Sequence, residues 1–347
     1  MRHPVVTEDL AEIAAADLPF EVLQGATVLV TGASGMLPAY LTEALLHLNE
    51  SRRLGVRVLA MVRNRARAEY RFAHYAGRND LQIVEHDAAL PFAAPGSIAH
   101  IVHAASPASP RHFGGDPVGT LLPNVIGTRH LLDLARQHGA GFLFLSSGEV
   151  YGVVDPGKMP IGEEDYGYVD PMQVRSCYAE SKRMGETLCA AWHAQYAVAA
   201  RVARPFHTYG PGLSFDDGRV FADFVANLVR GEDIVLKSDG RAVRAYCYIA
   251  DATRAFFTIL LCGAAGQAYN VGNPQALVSV RELADRLVAL FPERGLKVVH
   301  DGEPRLSGYL ESPIPLNAPD TAKLEALGWR PRHSIESGFL RTVQSYS

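Results

Sequence analysis

An α/β fold, with a doubly wound parallel sheet and a smaller C-terminal α/β cap, is predicted by three observations on this 347-residue sequence. Short apolar runs alternate with helical stretches between about residues 26 and 203. The first run ends in a glycine turn, Thr31-Gly32-Ala33-Ser34-Gly35-Met36-Leu37-Pro38, which opens a helix. Beyond about residue 206 the elements shorten, and Gly, Pro and Asp interrupt them. Alternating strands and helices imply right-handed crossovers and a parallel sheet covered on both faces.

The elements follow in order. Residues 7–18 read as a helix with Thr7 as its N-cap, ahead of the core. Strands are expected at 26–31, 56–62, 81–84, 98–104, 142–146 and 198–203. Helices are expected from the glycine turn to about Leu48, over about 118–138, and from the Tyr178 region to about Tyr196. The remainder reads as helical at 219–230, 252–262 and 279–291, with strands at 234–236 and 297–300.

Bulk composition excludes several classes of function. Hydrophobic residues make up 48% and charged residues 20%, as in an ordinary globular chain. A net charge of −4 gives no basic field for nucleic acid, and no apolar run is long enough to span a membrane. Cys177, Cys189, Cys247 and Cys262 have no metal-type spacing, so no metal is expected and a reducing compartment is implied. Glu8, Asp9 and Glu12 do not suit a signal peptide, and a cytoplasmic location is expected.

The chemistry concentrates in a few residues. Gly32 and Gly35 let the backbone approach a pyrophosphate, and the helix start at Ser34, Met36 and Leu37 supplies amide donors and partial positive charge. Pro38 stands where a third glycine is expected, and proline suits a first helical turn. The second strand ends at Arg63 rather than at an acid that would hold an adenosine ribose in an NAD site. Arg63 fits a 2′-phosphate, which keeps NADP open; the alternative is a surface arginine with NAD held by other groups. Asp87, closing the third strand, is either an acceptor for the adenine amine or a loop cap.

Tyr178 and Lys182 stand four residues apart on one helix face. The ammonium is expected to lower the phenol pKa toward the working pH. Such a phenolate takes a proton from an alcohol while hydride leaves the same carbon for a nicotinamide. Ser147, at a strand end, is placed to share that hydroxyl proton. Glu149 next to it is available as a base at a carbon adjacent to a carbonyl. The bland alternatives are a turn serine and a turn cap.

Longer stretches carry a resemblance. They are Ala105-Ser106-Pro107-Ala108-Ser109-Pro110, Asn124 through Thr128, Tyr178 through Cys189, Arg201 through Pro205 with Tyr209-Gly210-Pro211, and Asp217-Gly218-Arg219-Val220. Arg244-Ala245-Tyr246 followed by Asp251, Asn270 through Pro274, and Leu327-Gly328-Trp329 complete the set. Over about residues 25–340 the chain resembles extended short-chain dehydrogenases/reductases, the nucleotide-sugar epimerase/dehydratase family. Within that family it resembles the UDP-glucuronate decarboxylases (UDP-xylose synthases).

The resemblance implies a Rossmann fold and bound NAD. It makes Tyr178 the base and Lys182 its partner, holding the nicotinamide ribose, with Ser147 at the catalytic Ser/Thr position. Ala104, Ala105 and Ser106 join the cofactor contacts. Arg219 and Arg244 occupy positions that contact the nucleotide and diphosphate, and the arginine matching Arg244 has also been given a carboxylate-handling role. The implied partners are a nucleotide-diphosphate sugar as substrate and a second copy of the chain, paired through the helices at about 118–138 and 178–196. The expected organisation is an N-terminal helical extension (1–24), a dinucleotide-binding domain carrying the catalytic residues (25–205), and a mainly substrate-binding cap (206–347) with segments returning to the first domain.

Departures from the family pattern shape the choice of reaction. Gly148 replaces the serine usual in decarboxylases and the aspartate usual in 4,6-dehydratases. A small residue there is common in 4-epimerases, where it leaves room for a 4-keto sugar to swing over. Glu149 points the other way, since simple 4-epimerases commonly carry threonine. His207 replaces an asparagine used near the diphosphate, which places Ser147, Gly148, Glu149, His207, Arg219 and Arg244 in the expected substrate site. An arginine pair expected near Pro313-Ile314-Pro315-Leu316-Asn317 is missing, with Arg305 as a substitute.

All the enzyme readings begin with oxidation at C4 of the sugar. The sequence puts C4 epimerisation first and a UDP-glucuronate decarboxylase-type reaction second. A 4,6-dehydratase, a 4-dehydrogenase/reductase and a non-catalytic dinucleotide sensor follow.

Overall fold

The computed structural model describes residues 2–300 and 314–347, so Arg305 and Pro313 lie outside the described residues. In chain order the strands are β1 (Thr27–Thr31), β2 (Arg57–Val62), β3 (Leu81–Glu85), β4 (His100–His103), β5 (Gly141–Leu145), β6 (Ala200–Pro205), β7 (His207–Tyr209), β8 (Ile234–Leu236), β9 (Val243–Tyr248), β10 (Ala268–Val271), β11 (Leu277–Ser279), β12 (Val298–His300) and β13 (Leu316–Asn317). The α-helices are α1 (Pro4–Ala14), α2 (Met36–Arg52), α3 (Arg65–Arg71), α4 (Pro110–Gly115), α5 (Pro117–Leu122), α6 (Thr128–His138), α7 (Ser176–Tyr196), α8 (Val220–Arg230), α9 (Ile249–Cys262), α10 (Val280–Ala289), α11 (Ala322–Glu325) and α12 (Ile335–Gln344).

Seven strands form one all-parallel sheet in the order β10-β6-β5-β4-β1-β2-β3. The inner strands are nearly continuous runs of Val, Leu, Phe and Ala, buried on both faces as a covered parallel sheet requires. Chain order reverses between β1 and β4, which opens a crevice at their carboxyl ends. The helix expected over 118–138 is present, but a π-helical turn at Pro123–Gly127 joins α5 to α6. Above the crevice, β11, β9, β13 and β7 form a small sheet, and β12 pairs with β8.

The N-terminal helix starts earlier than expected. His3 is the N-cap, accepting from the Val5 amide, and Pro4 is the first helical residue. Thr7 lies inside the helix, where its hydroxyl donates to the His3 carbonyl. Asp9 on α1 is fully buried and accepts from Tyr40 of α2, Tyr248 of β9 and Arg341 of α12. One carboxylate therefore ties four elements together.

Candidate active site

A cavity of about 1160 Å³ fills the crevice at the carboxyl ends of the central strands. Among the described residues, those assigned from the sequence to the catalytic, cofactor and substrate sites line it: Gly32, Ser34, Gly35, Met36, Leu37, Arg63, Asp87, Ala104, Ala105, Ser106, Ser147, Gly148, Glu149, Tyr178, Lys182, His207, Arg219 and Arg244. These residues come from both sheets, so the fold alone brings them together.

At one end, Gly32 has φ +66°, and a Cβ there would stand 2.8 Å from the Ala105 Cα. Only glycine permits this approach of two backbones. The junction is locked by Thr31, whose hydroxyl accepts from the Ala104 and Ala105 amides (3.1 Å each) and donates to His103 Nδ1 (2.8 Å). His103 Nε2 donates to the Pro123 carbonyl. Burial, helped by the Lys182 charge, pushes this imidazole down to about 3, so it stays neutral. Gly35 begins α2 without a side-chain cap, and Pro38 lies in the first turn as expected. The Met36 and Leu37 amides find no protein acceptor among the described residues. A cradle no Cβ fits, with open amides at a helix start, suits the pyrophosphate of a dinucleotide. Arg63 makes no ion pair among the described residues, whereas Asp87 caps its own loop by accepting from Ala89 N (2.9 Å).

The middle of the cavity holds Ser147, Tyr178 and Lys182. Here the structure corrects an expectation: the Tyr178 phenol is pushed up to about 12, not down. Burial dominates, and Glu149 adds to it; the nearby Ser147 hydroxyl and Arg219 pull the other way. Lys182 does not aim its ammonium at the phenolic oxygen. Its Nζ donates to the Leu145 carbonyl (2.6 Å) and sits 5.8 Å from the centre of the Tyr178 ring. Burial also lowers Lys182 to about 7, with Glu186 opposing.

Three neighbours were not singled out from the sequence. Phe113 on α4 stacks on the Tyr178 ring at 4.8 Å. Arg175 pairs with Glu149 at 3.1 Å, and its buried Nε has no partner among the described residues. Arg175 stands one helical turn before Tyr178, a spacing that was there to be read. Phe206 covers Gly148: a Cβ at Gly148 would meet its ring at 3.2 Å. The missing side chain thus makes room for Phe206, and no space for a rotating sugar is gained in that direction.

At the far end, Arg219 pairs with both carboxylate oxygens of Asp217 and lies over Phe221. Arg244 donates to the carbonyls of Val243, Ile314 and Pro315. His207 lies close to both, half-buried, with its Nδ1 sealed from water. Burial and both arginines push its imidazole well below the usual value.

Comparison with known proteins agrees with this geometry. A profile of the NAD dependent epimerase/dehydratase family matches residues 28–272. The chain belongs to this family. UDP-glucuronic acid decarboxylase 6 of Arabidopsis thaliana is 34% identical over 315 residues, 90% of this chain and 86% of that protein. The crystal structure of the dTDP-glucose 4,6-dehydratase DesIV from Streptomyces venezuelae, with NAD bound, superposes with a TM-score of 0.74 at 26% identity, covering 92% of this chain and 96% of that one. UDP-glucose 4-epimerase of Thermotoga maritima shares the fold, with a TM-score of 0.77 at 22% identity over 92% and 98% of the two chains.

As a member of the NAD dependent epimerase/dehydratase family, the protein is a nucleotide-sugar-modifying enzyme with NAD as its cofactor. Among the described residues no helix is long and apolar enough to cross a membrane.

Proposed function

We propose that this enzyme decarboxylates a UDP-hexuronate of the UDP-glucuronate type, rather than epimerising a hexose at C4. The observation that carries this reading is the Arg175–Glu149 pair beside Tyr178. An arginine with an unused donor suits a substrate carboxylate, and an epimerase acting on a neutral sugar has no need of one. The decarboxylase relative, similar over most of both chains, supports the same choice. Gly148 loses its weight as evidence for epimerisation, because Phe206 occupies the direction its side chain would take.

In this reading Gly32, Gly35, the open amides of α2 and Ala104 to Ser106 hold NAD, with Asp87 near the adenine. Bound NAD supplies the hydride acceptor for C4 and returns the hydride at the end. Ser147 and Tyr178 hold the C4 hydroxyl, and Tyr178 removes its proton. A ketone at C4 stands β to the C6 carboxylate, so CO2 leaves with the C5–C6 electron pair passing into a C4–C5 enolate, which then takes a proton from solvent at C5. Arg175 orients that carboxylate, and Glu149 fixes Arg175. Arg219, Arg244 and His207 receive the diphosphate. Arg63 offers its fork at the ribose end, which keeps NADP open beside NAD.

Incubation with UDP-glucuronate and NAD in deuterated water is expected to give a UDP-pentose lacking CO2 and carrying one deuterium at C5, read by mass spectrometry. An isomer of unchanged formula would instead establish the 4-epimerase reading.

We also propose a homodimer through α5, the π turn and α7. Val118, Leu122 and Ile126 recur every four residues and are exposed, as is Met184 on α7. Ile126→Asp is expected to convert a dimer into a monomer in sedimentation equilibrium. A wild-type monomer would reject the assignment.

A further inference from the structure

His207 is a half-buried imidazole inside the proposed diphosphate site, and its ring makes no hydrogen bond among the described residues. Its Nδ1 is sealed from water without a partner. Edge-on contacts with Phe221 and Tyr246 fix the ring, at 6.5 Å and 5.9 Å between centres. The charges facing it are few. Arg244 and the Tyr246 phenol come from β9, and Arg219 comes from the start of α8. Behind β7, Asp251 of α9 is already closed by Arg254 and by the amides of Arg332 and His333. Among the described residues, only Arg244 and Arg219 act on the imidazole through their charge, and no carboxylate stabilises a positive charge there.

This environment changes sign when an anion enters. A diphosphate between Arg219 and Arg244 cancels the two fields that oppose protonation of His207, and it adds acceptor oxygens beside the ring. Burial, which penalises a lone charge, strengthens its pairing with a phosphate. Resting on the nucleotide-sugar reading above, we propose that binding of the substrate diphosphate is coupled to protonation of His207, so that the enzyme captures a nucleotide sugar together with one proton.

The sign follows from linkage. The imidazole pKa is higher in the complex than in the free enzyme, so affinity is full below the free-state value. It is lost as pH rises through the bound-state value, falling about tenfold per pH unit until that coupling is exhausted. Lys182 shares the cavity and titrates near 7, so proton uptake alone does not assign the group.

UDP-glucose is the probe, because its phosphates carry no proton that titrates near neutrality. Calorimetry of the NAD-loaded enzyme at about pH 6.5, in buffers of different ionisation enthalpy, is expected to show uptake approaching one proton. His207→Asn and His207→Gln are expected to bind within about tenfold of the wild type and to take up none. Uptake unchanged in the variants would assign the proton elsewhere and overturn the proposal. Binding by the wild type without uptake would overturn it while leaving the nucleotide-sugar reading intact. Failure of the wild type to bind UDP-glucose, UDP-glucuronate and dTDP-glucose alike would sink the nucleotide-sugar reading itself. A direct measurement needs no variant to fold: the His207 C2 proton, followed by NMR, moves to its charged position on addition of UDP-glucose. A resonance that stays at the neutral position rejects the coupling.

Discussion

Replacing Tyr178 by Phe is expected to lower kcat by about 10²–10⁴-fold while NAD stays bound. The substitution removes one buried hydroxyl near Ser147 and leaves the ring on Phe113 undisturbed. The pH profile of the wild type tests the same assignment more sharply. In the proposed mechanism the active form needs an ionised Tyr178, favoured toward about 12, and a charged Lys182, favoured below about 7. These two values stand in the reverse of the usual order. Below about 7 the phenolate fraction rises tenfold per pH unit while Lys182 stays charged. Above about 7 each gain in phenolate is matched by a loss of ammonium, and the rate levels. The acid limb is therefore expected to bend near the Lys182 value, although the proposed base is Tyr178.

A unit charge 5.8 Å from the ring is worth about 3 kcal/mol at an effective dielectric constant of about 20. Lys182→Met is expected to lower kcat by about a hundredfold and to abolish the bend, leaving a rate that keeps rising with pH. A bend that persists in Lys182→Met would show that another group sets it.

The sheet was legible because its strands are uninterrupted apolar runs, and the cofactor end was legible because glycine is irreplaceable where Gly32 meets Ala105. Tyr178 and Lys182 could be placed on one helix face from spacing alone. The aim of the Lys182 ammonium could not, because it depends on the Leu145 carbonyl, which the fold brings from β5. Gly148 shows the same limit: its meaning lies in Phe206, which is distant in sequence and adjacent only across the sheet. β7, β9, β10, β11 and β13 were missed because their pairing partners are non-local, and all but β9 are also short. At the N-terminus two start signals competed, and Pro4 behind His3 prevailed over Thr7.

Behind the cavity, Arg204 and Glu186 form a buried pair whose loss is expected to be the most damaging single change to stability. Arg204 donates twice to Glu186 (2.9 and 2.5 Å), and also to Tyr151, Tyr166 and the Glu163 carbonyl. Tyr151 passes the network on by donating to Asn270 of β10. Burial opposes the Arg204 charge, but the hydrogen bonds and field of Glu186 hold it protonated. Glu186→Ala leaves that guanidinium buried and unpaired, at a cost of about 3–5 kcal/mol in urea unfolding. Most of this cost is the orphaned charge, so the double variant Glu186→Leu with Arg204→Met is expected to be more stable than Glu186→Ala. Glu186 also opposes the loss of charge on Lys182, one helical turn away. Glu186→Gln, which keeps an acceptor for Arg204, is therefore expected to shift the bend in the acid limb below about 7. A bend that does not move would separate the pair from catalysis and leave it a purely structural tie between α7, β6 and β10.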